Sequence, residues 1–186
     1  MTELALHIMD IMQNSIMANA SRIELRIYEN HTEDMLIIEI IDNGYGMDST
    51  TVNKAIDPFF TSRTTRKVGM GLPLFKQAAE HCGGSFHIES EPGVGTRMTV
   101  TMKESHIDRQ PMGDIAGVIM LVVSANPEID FVYKHETEEG EFVFDTKQIK
   151  RILEDVSITD PKVIRFIREM IQENLNEIHL NQRSEN

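Results

Sequence analysis

The chain has 186 residues, 40% of them hydrophobic, which is enough to build a real core and excludes disorder as the default reading. Eighteen Lys and Arg against thirty Asp and Glu give a formal net charge of -12, which argues against nucleic acid and against an anionic membrane as partners. The single cysteine, Cys82, excludes an intramolecular disulfide framework and cannot by itself make a zinc site. The N-terminus carries an acid, Glu3, where a secretion signal requires a basic residue. The longest apolar run, Ile115 to Ala125, is about half the roughly 20 residues of a membrane span. A soluble, acidic, cytoplasmic protein is expected.

Leu4 to Ala20 is predicted as a first helix, because Leu4, Ile8, Ile11, Met12 and Ile16 recur near the helical period. Arg22 to Tyr28 alternates polar and apolar residues, as a half-buried strand does, and Met35 to Ile41 reads as a second, more buried strand after a hairpin turn at 30–34. Val52–Ile56 reads as a short helix, Leu72–His81 as a longer one, and Phe86–Ser90 and Arg97–Met102 as two more strands. Beyond Lys103, Ile115–Val123, Asp130–Tyr133 and Glu141–Phe144 read as strands. Asp145 and Asp160 read as N-caps, the second followed by Pro161 at the first helical position, of two helices over about 146–155 and 161–178. The acidic stretch His135–Glu141 is expected to be a solvated hairpin tip rather than a metal site, and Cys82 a packing residue. The fold class is therefore α/β, an α+β two-layer sandwich: a mixed sheet covered by helices on one side. Its parts are a first domain over 1–102 and an α+β extension over 103–186.

Eight of the eleven glycines lie between Gly44 and Gly95, and function is expected there. On the first helix His7, Asp10 and Asn14 stand three and four residues apart and project from one face, a spacing that by itself also fits a solvated face. Asp42, at the end of the second strand, leads into Gly44, Tyr45, Gly46 and Met47. A carboxylate there can accept from an exocyclic amino group, the way an adenine is read. Within Pro58–Ala79 there are four basic residues and no acid, a local reversal of charge that marks an anion site. Gly69 and Gly71 allow backbone N–H groups to approach a phosphate, and the helix that follows offers the positive end of its dipole. Gly93-Val94-Gly95-Thr96 is a second tight turn.

Taken in order, these segments resemble the GHKL nucleotide-binding superfamily of DNA gyrase, the large heat-shock chaperones, histidine kinases and MutL, over about residues 4–102. The first box, Asp10 to Ile23, resembles the MutL pattern. The later ones, Asp57-Pro58-Phe59-Phe60-Thr61, Gly69-Met70-Gly71-Leu72, His81-Cys82-Gly83-Gly84 and Ser90 to Thr96, resemble histidine kinases. The resemblance implies a Bergerat-type sheet and ATP with Mg2+ as cofactors. By it, Asn14 is the magnesium ligand and Asp42 the adenine reader, with Gly44, Gly46 and Met47 in the first glycine box. Gly69, Met70, Gly71 and Leu72 form the second box; Thr61, Arg63, Arg66 and Lys67 belong to the segment over the triphosphate, and Thr96 lies near the adenine.

Three departures qualify what the resemblance implies. Asp10 stands where the ATPase branches place a glutamate as general base, a side chain shorter by one methylene, roughly 1.5 Å of reach. Lys67 replaces the leading glycine of the second box. The first box begins almost at Met1, with no room upstream for a phospho-acceptor helix pair. The function expected is a stand-alone protein kinase acting on serine or histidine, with Asp10 catalytic, ATP and ADP as ligands, a protein substrate or regulatory partner, and a homodimer admitted. A slow ATPase coupled to dimer closure and a non-catalytic, nucleotide-dependent partner-binding module are the alternatives.

Overall fold

The computed structural model describes residues 3–59 and 71–179. Among these, six strands form a single mixed sheet. In chain order the elements are α1 (Leu4–Met17), β1 (Arg22–Asn30), β2 (Met35–Asp42), α2 (Ser49–Ala55), α3 (Gly71–His81), β3 (Ser85–Glu91), β4 (Gly95–Met102), α4 (Ile115–Ala125), β5 (Asp130–Thr137), β6 (Gly140–Asp145), α5 (Thr146–Leu153) and α6 (Pro161–Glu177). The spatial order is β3-β4-β2-β1-β5-β6, with β1 and β5 parallel and every other neighbouring pair antiparallel. The extension thus adds two strands to the sheet begun by the first half of the chain.

Alternation along the strands decides the layering. Ile23, Leu25 and Ile27 on β1, Leu36, Ile38 and Ile40 on β2, and Met98, Val100 and Met102 on β4 are all buried, against Leu4, Ile8 and Met12 of α1 and the apolar faces of the other long helices. The alternate residues carry charge instead: Arg26 pairs with Glu24 at 2.7 Å and with Glu39 at 3.1 Å, and Arg97 reaches Glu39 at 3.6 Å. One face of the sheet is therefore core and the other polar, as the sequence pattern requires.

Three expectations need correction. Ile115–Val123 is not a strand but the helix α4, capped by Asp114, whose carboxylate accepts from the Gly117 N–H at 2.8 Å. It packs against both α1 and α6 and buries residues around most of its circumference, so its helical period is hidden in the sequence by nearly uniform apolarity. His135 does not belong to an exposed loop: it lies on β5 and is 1% exposed, and only Glu138 and Glu139 form the hairpin tip. The first helix is also shorter than its periodicity, ending at Met17 because Asn19 takes a left-handed φ of 57°. Asp145 and Asp160 cap α5 and α6 as read, each accepting from a backbone N–H at 2.8 Å. Cys82 is buried, and burial pushes its thiol up, away from the reactive thiolate.

Candidate functional site

α1, the ends of β2 and β4, and the start of α3 enclose a cleft open to solvent. Its walls are apolar, from Ile11 on α1, Ile40 on β2, Leu72 on α3, Ile88 on β3 and Met98 on β4, and its polar lining comes from Asn14, Ser15, Asp42 and Thr96. A flat, largely apolar slot with a few convergent polar groups is the usual form of a heteroaromatic ligand site.

Asp42 is fixed before any ligand is considered. Its Oδ2 accepts from Ser15 Oγ at 2.6 Å and its Oδ1 from the Gly44 N–H at 2.9 Å. An ionised carboxylate has about four lone-pair sites, so two anchoring bonds leave capacity for a donor in the cleft. Thr96 stands beside Asp42 in the β2–β4 register. Its Oγ1 is 2.8 Å from Ser90 Oγ, which also accepts from the Met47 N–H at 2.8 Å and donates to the Gly95 carbonyl at 3.0 Å. Those bonds use all of the Ser90 hydroxyl if Thr96 is the donor between the two, leaving the Thr96 lone pairs facing the cleft.

The rim is stitched at the backbone. The Tyr45 N–H donates to the Ala18 carbonyl at 2.9 Å, and the Gly93 N–H donates to the Tyr45 carbonyl at 2.7 Å. Gly46, at φ 67°, admits no side chain: a Cβ there would sit 1.9 Å from the Glu91 carbonyl oxygen. The two glycine turns of the sequence are thus one packed unit.

At the other end of the cleft α1 meets α3. Gly71 opens α3, and a Cβ on it would lie 2.9 Å from Asp10 Cβ and 3.3 Å from Asp10 Oδ2. The Asp10 carboxylate therefore lies against the N-terminal end of a helix with no acid in its first turn, where the dipole is positive. One turn towards the N-terminus His7 is buried, stacked on Phe75 with ring centroids 4.9 Å apart. Its Nε2 is 3.0 Å from Gln110 Oε1, an acceptor, so the proton resides on Nε2; Nδ1 is buried without a partner. Burial lowers the pKa of His7, an effect the Gln110 bond offsets only in part.

Of the residues singled out in the sequence, Asn14, Asp42, Gly46, Met47, Leu72 and Thr96 line the cleft, while Gly44 holds Asp42, and Asp10 and Gly71 touch at its far end. Thr61, Arg63, Arg66, Lys67, Gly69 and Met70 lie outside the described residues. Sequence reasoning passed over Ser15 and Ser90. Each is a small hydroxyl inside one of the quoted boxes, and the signal available was that a hydroxyl in a buried segment must find a partner.

The donor set suits an adenine nucleotide. The carboxylate Asp42, the hydroxyl Thr96 and the amide Asn14 line the cleft between aliphatic walls, and Asn14 lies one turn along α1 from Asp10, which touches the start of α3.

Comparison with known proteins gives the family. Sporulation kinase D of Bacillus subtilis is 32% identical over 98 residues, 53% of this chain and 19% of that protein. The signal transduction histidine-protein kinase AtoS of Escherichia coli is 30% identical over 96 residues, 51% of this chain and 16% of that protein. The chain thus matches less than a fifth of the length of either kinase. Among solved structures, the N-terminal domain of a DNA repair protein superposes with a TM-score of 0.50 at 17% identity, over 77% of this chain and 52% of that one, a likeness of fold alone. The family model of the histidine kinase-, DNA gyrase B- and HSP90-like ATPases matches residues 2–106, more than half of the chain. On that match and these relatives, the chain belongs to the histidine kinase-, DNA gyrase B- and HSP90-like ATPase family, and its ATPase domain is of the histidine kinase type.

Proposed function

We propose that this protein is a magnesium- and ATP-dependent protein kinase of the cytoplasm, working as a unit of its own and transferring the γ-phosphoryl group to a serine or histidine of a partner protein. The observation that carries this reading is the contact of Asp10 with Gly71 at the start of α3, which sets a carboxylate beside the positive helix end where phosphates are favoured. There Asp10 takes the proton of an attacking hydroxyl, or orients an attacking imidazole, as the acceptor bonds to phosphorus and ADP departs. Asp42 and Thr96 hold the adenine, and Asn14 offers its amide oxygen to magnesium, which when bound neutralises phosphate charge. No helix among the described residues is long and apolar enough to cross a membrane.

Incubation with γ-labelled ATP and magnesium, with and without cell lysate, tests the proposal on wild type, Asn14→Ala and Asp10→Asn. Label on a protein that depends on both residues supports a kinase. Free phosphate identifies an ATPase, which would then be examined for dimer closure; ATP binding without either product identifies a nucleotide-dependent partner-binding module. Asn14→Ala should also abolish the magnesium dependence of nucleotide binding, and an unchanged dependence removes Asn14 from the metal.

A further inference from the structure

At the end of the sheet remote from the cleft, three side chains converge that the nucleotide site does not use. The inward positions of β1 run Ile23, Leu25, Ile27 and then Glu29, a carboxylate where the stripe calls for another aliphatic residue. On β5 the inward residues are Tyr133, His135 and Thr137, all buried. Thr137 Oγ1 donates to the Ile178 carbonyl at 2.7 Å, which brings the end of α6 and the following His179 over the two strands. His135 Nε2 then lies 2.7 Å from Glu29 Oε1, and His179 Nε2 lies 3.2 Å from Glu29 Oε2.

Proton counting shows what this arrangement allows. His179 Nδ1 is 2.6 Å from the Leu175 carbonyl, which can only accept, so Nδ1 carries a proton. His179 Nε2 then meets the Glu29 carboxylate either through a second ring proton, as an ion pair, or, where that proton is displaced, through its lone pair on a cation bound beside the carboxylate. His135 is anchored at the same atom: its Nδ1 is 2.6 Å from the Tyr133 hydroxyl, which can donate to it, and its Nε2 faces the other oxygen of the same carboxylate. Each imidazole is thus fixed at Nδ1 by a polar partner while Nε2 points at the common centre. That is the outer-shell pattern which orients metal-bound histidines.

The donors decide the kind of ion. Two imidazole nitrogens and one carboxylate oxygen suit zinc and similar divalent transition metals, whereas magnesium and calcium prefer oxygen alone. One atom from each residue can be chosen so that all lie within 4.8 Å of one another. Tetrahedral bonds of about 2.0–2.1 Å put donor atoms roughly 3.3 Å apart, so an ion requires His135 Nε2, now 2.7 Å from Glu29 Oε1, to draw back by about 0.6 Å.

We propose that Glu29, His135 and His179 bind one divalent transition-metal ion of the zinc type, with a fourth position open to water, and that this ion clips the end of α6 onto the β1–β5 pair. The site is separate from the nucleotide cleft. Ile23 is the β1 residue paired with Asp42, and Glu29 lies six residues further along, about 20 Å at the strand rise of roughly 3.3 Å per residue.

The test is titration of the full, nucleotide-free chain with Co2+, followed by the visible absorption of tetrahedral cobalt, with Zn2+ as competitor. Wild type should develop the band at one equivalent and lose it to Zn2+, and its Tm should rise with zinc concentration. Glu29→Gln and His179→Gln should each weaken the cobalt affinity at least ten-fold, whereas His87→Gln, at an exposed histidine of β3, should leave it unchanged. His179 follows the last turn of α6 with its side chain 21% exposed, so its substitution tests the site with little cost to the core. A wild type without the band, or a band that survives both Glu29→Gln and His179→Gln, overturns the proposal.

Discussion

Asp42 makes its two anchoring bonds through different oxygens, so an isosteric change of charge disturbs both. In Asp42→Asn one anchoring position becomes an amide donor, facing either the Ser15 hydroxyl or the Gly44 N–H. Hydrogen bonds to charged groups are worth about 1.5–3 kcal/mol, so calorimetric titration should show ATP and ADP binding weakened roughly 10- to 100-fold, with inorganic triphosphate little affected. Equal weakening of triphosphate would remove Asp42 from the base end of the cleft. His7 carries a pH dependence of definite sign. Its folded-state pKa lies below the ordinary value of 6.5, so above pH 6.5 its contribution to stability is complete. As pH falls through 6.5 towards the lower folded value, the unfolded chain takes up the proton first and stability declines. Urea midpoints between about pH 7.5 and 5.5 should fall more steeply for wild type than for His7→Phe, and parallel curves would show that His7 stays accessible to protons. His7, Asp10 and Asn14 were legible as one helical face, but the sequence could not say whether that face meets water or α3. Only the stacking of His7 on Phe75 decides it.

Among the elements, those with a clear period or a terminal signal were readable in advance. β1 alternates cleanly, and the caps at Asp145 and Asp160 are followed by the helices they announce. α4 was misread because a helix packed on several sides lacks the polar stripe that reveals its period; Leu121 is its one large exposed side chain. Asp114, directly before the apolar run, was the sign available. Since its carboxylate accepts from the Gly117 N–H, Asp114→Ala should cost about 1 kcal/mol, measured by denaturant unfolding at constant m-value, plus any part due to its exposed ion pair with Arg168. Glu29 was hidden for the opposite reason. Strand alternation places it on the buried face, but its partners come from residues more than a hundred positions later, and no local pattern announces them.

For the molecule as a whole, the continuous sheet makes the two halves of the sequence energetically dependent on each other. β1 lies between β2 and β5, and α4, from the second half, packs on α1 from the first. Scanning calorimetry should accordingly show one cooperative transition, and two separated transitions would mean that 1–102 and 103–186 unfold as independent units. A chain cut after Met102 should lose this cooperativity and self-associate in sedimentation, since the cut uncovers the long edge of β1. The same parallel pair imposes an order on biosynthesis. Arg22 is paired with Asp130, so β1 leaves the ribosome 108 residues ahead of its neighbour, a wait of roughly 5–20 s at ordinary elongation rates. Throughout that interval the nascent strand presents an unpaired edge to every other chain in reach. Arg22, Glu24 and Arg26, every second residue along it, are then the gatekeepers that keep a half-made protein from being extended by the wrong strand.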